Sequence, residues 1–298
     1  MKETSVHFLS SGLRLSGVFR VPDGIGPDER RPAFIVLHGF GSNKNAGNVL
    51  RPCAFLEELG YITFRFDMRG CGESEGERGR VICLEQVEDT RNAITFVATQ
   101  PNVDPARIAL IGSSFGAAVS VYTGGIDTRV AAVISSGGWG NGERKFRGQH
   151  PTPEAWARFT KMLEEGKRYR ERTGKSLMVP RYDIVPIPEH LRGHVAEGSI
   201  QEFPAETAQS MFDFRADDVV GKIAPRPLLL LHSSVDSVTP TEQSIELFKR
   251  AGQPTDLHLF AETDHFMFAE ENGRVRTVVR EWLERFFPVH GREPTTVG

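Results

Sequence analysis

The residues that could do chemistry begin at Gly112-Ser113-Ser114-Phe115-Gly116, which has the G-x-S-x-G spacing of a nucleophile elbow. Ile108-Ala109-Leu110-Ile111 before it is a short apolar run. It is too short for a helix and suits a strand covered on both faces. A helical stretch follows, through Tyr122. A serine at a sharp strand-to-helix turn leaves little room for its neighbours. Glycine two positions before and two after relieves that crowding. Ala117 and Ala118 let the helix lie close to the sheet. Its N-terminus aims N–H groups and partial positive charge at the serine, which favours a developing oxyanion. Ser113 lacks these flanking glycines, so Ser114 is the expected nucleophile.

A serine hydroxyl is a weak nucleophile at neutral pH. It needs a base, and the base needs an orienting group. Histidine titrates near neutrality and can take and return a proton. Asp236 follows a later apolar run and His265 follows the last one, so loops at strand ends could gather Ser114, Asp236 and His265. Asp264 is the alternative carboxylate, but adjacent side chains seldom face one point, which favours Asp236. His190, His194, His232 and His258 sit in no motif and read as surface or core residues. Neither a metal-ligand constellation nor a phosphate-binding G-x-x-x-x-G-K-[ST] loop occurs, so no metal or cofactor is expected.

The elements that must position these groups alternate strand and helix. Strands are expected over 6–10, 13–21, 33–37, 61–66, 108–111, 130–134, 228–231 and 257–260. Helices are expected over 48–59, ended by Gly60, over 84–99, and over a closing amphipathic stretch marked by Val275, Val278, Val279, Trp282 and Phe286. Thr239-Pro240-Thr241-Glu242 reads as a capping box that starts a further helix. The pattern implies an α/β fold around a mostly parallel sheet flanked by helices.

Between residues 137 and 218 the pattern changes: prolines cluster, charge is dense and strand-like runs vanish. One helix is visible, with Thr152 as its cap and Pro153 in its first turn. The expected organisation is a core of 1–136 and 219–290, an inserted cap at 137–218, and a tail at 291–298. Trp139, Phe146, Trp156, Phe159, Tyr169, Tyr182 and Phe212 supply more aromatic area than a solvated loop needs. Of these, Trp139, Phe146 and Tyr182 are the expected substrate-binding residues, the alternative being that all seven are cap core.

Composition sets the outer limits. With 298 residues, 39% of them hydrophobic and 25% charged, the chain suits one large globular domain or a domain with an insertion. A net charge of -3 argues against strong attraction to nucleic acid or an anionic membrane. No apolar stretch is long enough to span a bilayer, and the first residues lack the apolar core of a secretory signal, so a cytoplasmic location is expected. Cys53, Cys71 and Cys83 are odd in number and form no C-x-x-C pair, so free buried thiols are expected.

The order Ser…Asp…His, together with five motifs, resembles the α/β-hydrolase superfamily. Within it the chain is similar to the esterase groups near dienelactone hydrolases and prolyl-oligopeptidase-like hydrolases. The motifs are His38-Gly39-Phe40-Gly41; Asp67-x-Arg69-Gly70-x-Gly72-x-Ser74; Asp104-Pro105-x-Arg107-Ile108-Ala109 leading into the elbow; Asp236-x-Val238-x-Pro240; and Asp264-His265-Phe266. They span nearly all of the chain except the insertion. The resemblance implies an α/β-hydrolase fold and a serine hydrolase acting on a small-molecule carboxylic ester, thioester or amide. It also implies a backbone oxyanion hole from the N–H groups of Phe40 and Phe115. His38 itself reads as structural, and Asp67 and Arg69 as braces of their loops through a salt bridge or backbone hydrogen bonds. Dienelactone hydrolases proper carry a cysteine nucleophile, so Ser114 argues against that reaction. Gly116-Ala117 replaces the Gly-Gly of many relatives and bears on packing. The rival readings are an acyltransferase or peptidase with the same triad, and a binding protein that keeps the fold without turnover.

Overall fold

In the computed structural model, which describes residues 2–268 and 273–290, the apolar runs become strands with both faces covered. Ala33, Ile35 and Leu37 of β3 (Arg31–Leu37) join one hydrophobic cluster, while Phe34 and Val36 join a second on the opposite face. Leu228 and Leu230 of β9 (Leu228–Ser233) divide from Leu229 and Leu231 in the same way. Side chains alternate across a strand, so an unbroken apolar run is what a strand between two helical layers needs.

The remaining strands of the main sheet are β1 (Lys2–Ser10), β2 (Leu13–Val21), β4 (Ile62–Phe66), β5 (Val103–Ser113), β6 (Val130–Ser136) and β10 (Thr255–Phe260). Their order is β1-β2-β4-β3-β5-β6-β9-β10. β2 is antiparallel to β1 and to β4, and every other pairing is parallel. The hairpin between β1 and β2 turns at Ser11 and Gly12, both at positive φ. Helices α2 (Cys83–Ala98) and α3 (Phe115–Ile126) cover one face; α1 (Gly47–Glu58) and α9 (Gly273–Phe286) cover the other. α8 (Glu242–Arg250) starts later than the capping box implies. Thr241 precedes it without a side-chain cap, because the Thr241 hydroxyl donates instead to the Ser233 carbonyl at 2.8 Å.

The chain runs from β3 outward to β4, then crosses back to place β5 on the other side of β3. The carboxyl ends of β3 and β5 therefore flank the point where the winding reverses, which is where open α/β sheets leave a crevice.

Between β6 and β9 lie α4 (Gly142–Gln149), α5 (Pro153–Thr173), α6 (Arg181–Ile184) and α7 (Ala205–Asp213). Thr152 caps α5 by accepting from the Ala155 N–H at 3.1 Å, and the helix stops at Gly174 with φ 70°. This segment does contain strands. β7 (Met178–Pro180) and β8 (Glu202–Pro204) form a short antiparallel pair, too short to show period-two alternation in sequence. Its apolar residues, Phe146, Phe159, Phe203 and Met211 among them, belong to the same cluster as the α2–α3 face. The segment packs on the sheet's own core. The expected tail at 291–298 lies outside the described residues. Among the described residues no helix is long and apolar enough to cross a membrane, and all three cysteines are free and buried.

Candidate active site

Ser114 stands between β5 and α3 with φ 56° and ψ −114°, one of three non-glycine residues at positive φ among those described. Its geometry explains both flanking glycines. A Cβ on Gly112 would come within 2.2 Å of the Gly116 carbonyl, and one on Gly116 within 2.5 Å of the Leu37 oxygen. Strain of this kind persists only where its surroundings hold it. Here the Ser114 N–H donates to the Ser136 carbonyl at 2.8 Å, and the Ser114 carbonyl accepts from Ala117 and Ala118 in the first turn of α3.

His265 and Asp236 meet across loops that follow β10 and β9. Nδ1 of His265 lies 2.8 and 3.1 Å from the two carboxylate oxygens of Asp236, and both side chains are almost wholly buried. A carboxylate only accepts, so Nδ1 of the neutral ring carries the hydrogen and Nε2 keeps its lone pair. Gly137 lets the ring seat here: a Cβ on it would stand 3.3 Å from both Nδ1 and Cε1 of His265.

Asp236 is itself held. Its Oδ1 accepts from the N–H groups of Val238 at 2.8 Å and Thr239 at 2.7 Å. Burial alone would push this carboxyl up. The charge and hydrogen bonds of His265, with those of His232, outweigh burial and hold it well below the usual carboxylate range. Asp264 faces elsewhere. It accepts from the Ser237 N–H at 2.9 Å, the Ser237 hydroxyl at 2.7 Å and the His265 N–H at 2.7 Å, so it ties the two loops together.

His232 escaped the reading from sequence. Its Nε2 is 2.9 Å from the Thr239 carbonyl and 3.2 Å from Asp236 Oδ2, while Nδ1 is 2.6 Å from the Ser244 hydroxyl. Two acceptors at Nε2 require a hydrogen there, leaving Nδ1 to accept from Ser244 in the neutral ring. The one available signal was a polar residue closing the Leu-rich run of β9, four positions before Asp236.

The loop after β3 approaches Ser114 from the other side. A Cβ on Gly39 would lie 3.9 Å from Ser114 Cβ. Among the described residues, no hydrogen bond is made by the N–H of Phe40 or Phe115. His38 is spent on structure: Nδ1 donates to the Gly39 carbonyl at 2.8 Å and Nε2 accepts from the Met68 N–H at 3.1 Å. Its complete burial pushes the imidazole down, toward the neutral form. Asp67 accepts from the Lys44 ammonium at 2.7 Å and from its N–H at 2.6 Å, and Arg69 pairs with Asp89 at 2.6 Å. These groups brace the loops after β3 and β4.

Ser114 and His265 open on one cleft. From the segment between β6 and β9, its walls come from Arg181, Val185, Ile187, His194, Val195 and Ser199. Trp139, Phe146 and Tyr182 do not line it. Trp139 is buried with its ring 6.5 Å from Phe115 and 5.3 Å from Phe214. Phe146 is buried and stacks on Phe159 at 4.4 Å. Tyr182 lines a different cavity beside His150 and Asp183, with the Arg192 guanidinium 4.0 Å from its ring centre. Within the segment, Trp139 and Phe146 fill the layer between helices and sheet, and the aliphatic Val185, Ile187 and Val195 reach the cleft beside Phe40 and Phe266 of the core loops.

Comparison with known proteins agrees with this architecture. An uncharacterized 31.7 kDa protein from Escherichia coli is 30% identical over 292 residues, covering 94% of this chain and 98% of that protein. A thiohydrolase, aneE, of Aspergillus aculeatus is 26% identical over 88% of this chain and 86% of its own length. A polyketide transferase, grgF, of Penicillium sp. is 28% identical over 80% of this chain and 82% of its own length. The crystal structure of the α/β-hydrolase GrgF from Penicillium sp. superposes with a TM-score of 0.77 at 23% identity, covering 95% of this chain and 97% of that one. Residues 28–272 match the family described as serine aminopeptidase, S33, and the chain belongs to that family of α/β-hydrolases.

Proposed function

We propose that this protein is a serine hydrolase that cleaves a carboxylic ester, with thioester or amide substrates open to the same chemistry, through an acyl-enzyme. The observation that carries the reading is the pairing of His265 Nδ1 with the buried Asp236 carboxylate, behind the cleft on which His265 and the strained Ser114 both open. Ser114 Oγ attacks the acyl carbonyl and His265 Nε2 takes its proton. The N–H groups of Phe40 and Phe115 receive the oxyanion, each worth on the order of 3 kcal/mol to the transition state. As the tetrahedral intermediate collapses, Nε2 returns the proton to the leaving alkoxide. Water then attacks the acyl-enzyme with Nε2 again as base, and the acid departs. Asp236 holds the tautomer and stabilises the imidazolium throughout. Val185, Ile187, Val195 and Val238 give the cleft an apolar wall suited to an acyl or alcohol chain.

The test is a fluorophosphonate probe with peptide mapping, followed by nitrophenyl esters of increasing chain length. The expected result is a single adduct on Ser114 and turnover that depends on chain length. An adduct on Ser113, or no adduct and no turnover, would overturn the reading.

A second outcome for the same acyl-enzyme is transfer to an acceptor other than water. The names of the relatives favour weighing it, since one is a thiohydrolase and another a polyketide transferase. Adding alcohols, amines and thiols to a nitrophenyl ester reaction separates the two. Hydrolysis predicts free acid as the main product; transfer predicts the acyl adduct of the acceptor.

A further inference from the structure

We propose that Arg181 is a positioning residue for the oxyanion hole: its guanidinium holds the Phe40–Gly41 backbone so that the Phe40 N–H faces the reacting carbonyl. This rests on the proposed serine hydrolase reading and assigns to the β6–β9 segment a part in the chemistry.

Arg181 follows β7 and is buried at 3% exposure. Its Nη2 donates to the Phe40 carbonyl at 2.9 Å and the Gly41 carbonyl at 3.1 Å, and its Nε donates to the Ile200 carbonyl at 2.8 Å. The Ile200 N–H donates in turn to the Gly41 carbonyl at 2.9 Å, and the Arg181 N–H to Gln201 at 2.7 Å. The side chain is thus a rigid fork between the oxyanion loop and the strand pair β7–β8. A planar guanidinium can serve several acceptors at fixed angles, which an ammonium cannot.

Aromatic packing reinforces the same joint. Phe40 stacks on Phe203 of β8 with centroids 4.1 Å apart. The Arg181 guanidinium carbon lies 5.3 and 5.5 Å from those two ring centres. Gly41 turns there at φ +51°, and a Cβ on it would strike the Phe203 ring at 2.4 Å. The loop therefore cannot move without breaking both the stack and the fork.

Among the described residues no carboxylate pairs with Arg181. Burying a cation without an anion is costly, and burial pulls this guanidinium down to about 10, still protonated at neutral pH. An apolar side chain here would leave the buried Phe40 and Ile200 carbonyls without the donor that Arg181 supplies. What the arginine adds is fixed geometry in two backbone carbonyls of the loop, and a positive charge on the wall of the cleft that holds Ser114. An oxyanion hole works by being organised before the charge appears.

The experiment compares wild type with Arg181→Lys and Arg181→Gln on a short nitrophenyl ester. Inhibition by an alkylboronic acid, whose tetrahedral adduct carries the oxyanion's charge, is measured beside it. Assays run below each variant's Tm, with circular dichroism confirming the folded state. Displaced donors are expected to cost about 10–100-fold in kcat with KM little changed, and to weaken the boronate by a similar factor. Arg181→Lys is expected to lose less than Arg181→Gln, since it keeps the charge without the fork. Wild-type kcat and boronate affinity in either folded variant would overturn the inference. So would a loss confined to KM, which would make Arg181 a substrate-binding side chain. If wild type itself neither turns over esters nor takes the fluorophosphonate, the serine hydrolase reading fails and this inference falls with it.

Discussion

The sheet and the segment between β6 and β9 position their side chains by different means. In the sheet, the candidate catalytic groups stand at strand ends, and local backbone geometry seats Ser114 and Asp236. Ser114 is held at φ 56° by two glycines and a helix N-terminus, and Asp236 by two N–H groups of its own loop. In the segment, helix limits are also local, as Thr152 and Gly174 show for α5. Which of its side chains reach the cleft is not. Val185 and Val195 wall it, whereas the larger Trp139 and Phe146 are buried elsewhere. The turn that presents Ser114 rests on short-range rules, and the walls of the cleft on long-range packing.

That contrast can be broken at its strongest point first. Ser114→Ala is expected to cost a thousandfold or more in turnover, on the scale of removing a triad nucleophile. The measurement is single-turnover and steady-state kinetics on nitrophenyl esters. Full activity would move the nucleophile, and the comparison, elsewhere.

Next comes the choice of carboxylate. Asp236→Asn is expected to lose on the order of a thousandfold in turnover, because His265 Nδ1 loses its acceptor and its tautomer is no longer set. Asp264→Asn disturbs the ties to Ser237 and to the His265 N–H but leaves the Asp236–His265 pair in place, and is expected to lose roughly tenfold or less at equal thermal stability. A larger loss in Asp264→Asn would reverse the assignment.

Selectivity should respond to the side chains that wall the cleft, those of the segment included. Val185→Ala and Ile187→Ala are expected to shift the ratio of kcat/KM between short and bulky esters by about 1–3 kcal/mol. Trp139→Ala and Phe146→Ala, buried away from the cleft, are expected to lower Tm and change both substrates in parallel. If the two aromatic variants change the ratio instead, the wall of the cleft has been drawn in the wrong place.

The smallest expected effect probes how the segment is held. Burial pushes the Lys145 ammonium of α4 down from 10.5 to about 7. Between those values the unfolded chain holds a proton that the folded chain has released, so stability rises with pH across that window. Lys145→Met removes this penalty. It is expected to raise Tm by roughly 2–4 °C at pH 7 and by less near pH 10, as followed by thermal denaturation. A gain that grows with pH would contradict the sign.

Much of the site was legible because its physics is local. The elbow shows in five consecutive residues, Gly112 to Gly116, since crowding at one turn forces glycine at two of them. The parallel strands show as apolar runs because both their faces are covered. His232 was not legible, since a histidine at the end of a buried strand looks the same whether or not a carboxylate lies beyond it. The strands β7 and β8 were too short to carry a period.

By itself, the sequence determined the strand and helix order of the core outside residues 137–218, the strand-to-helix turn at Ser114, and the order Ser114, Asp236, His265, because backbone sterics and hydrophobic periodicity act over a few neighbouring residues. Only the tertiary structure decided that His265 Nδ1 meets Asp236 while Asp264 turns to Ser237, and that Arg181 grips the Phe40 and Gly41 carbonyls 141 and 140 residues away. Contacts between such distant residues depend on how whole layers pack, which no local pattern encodes.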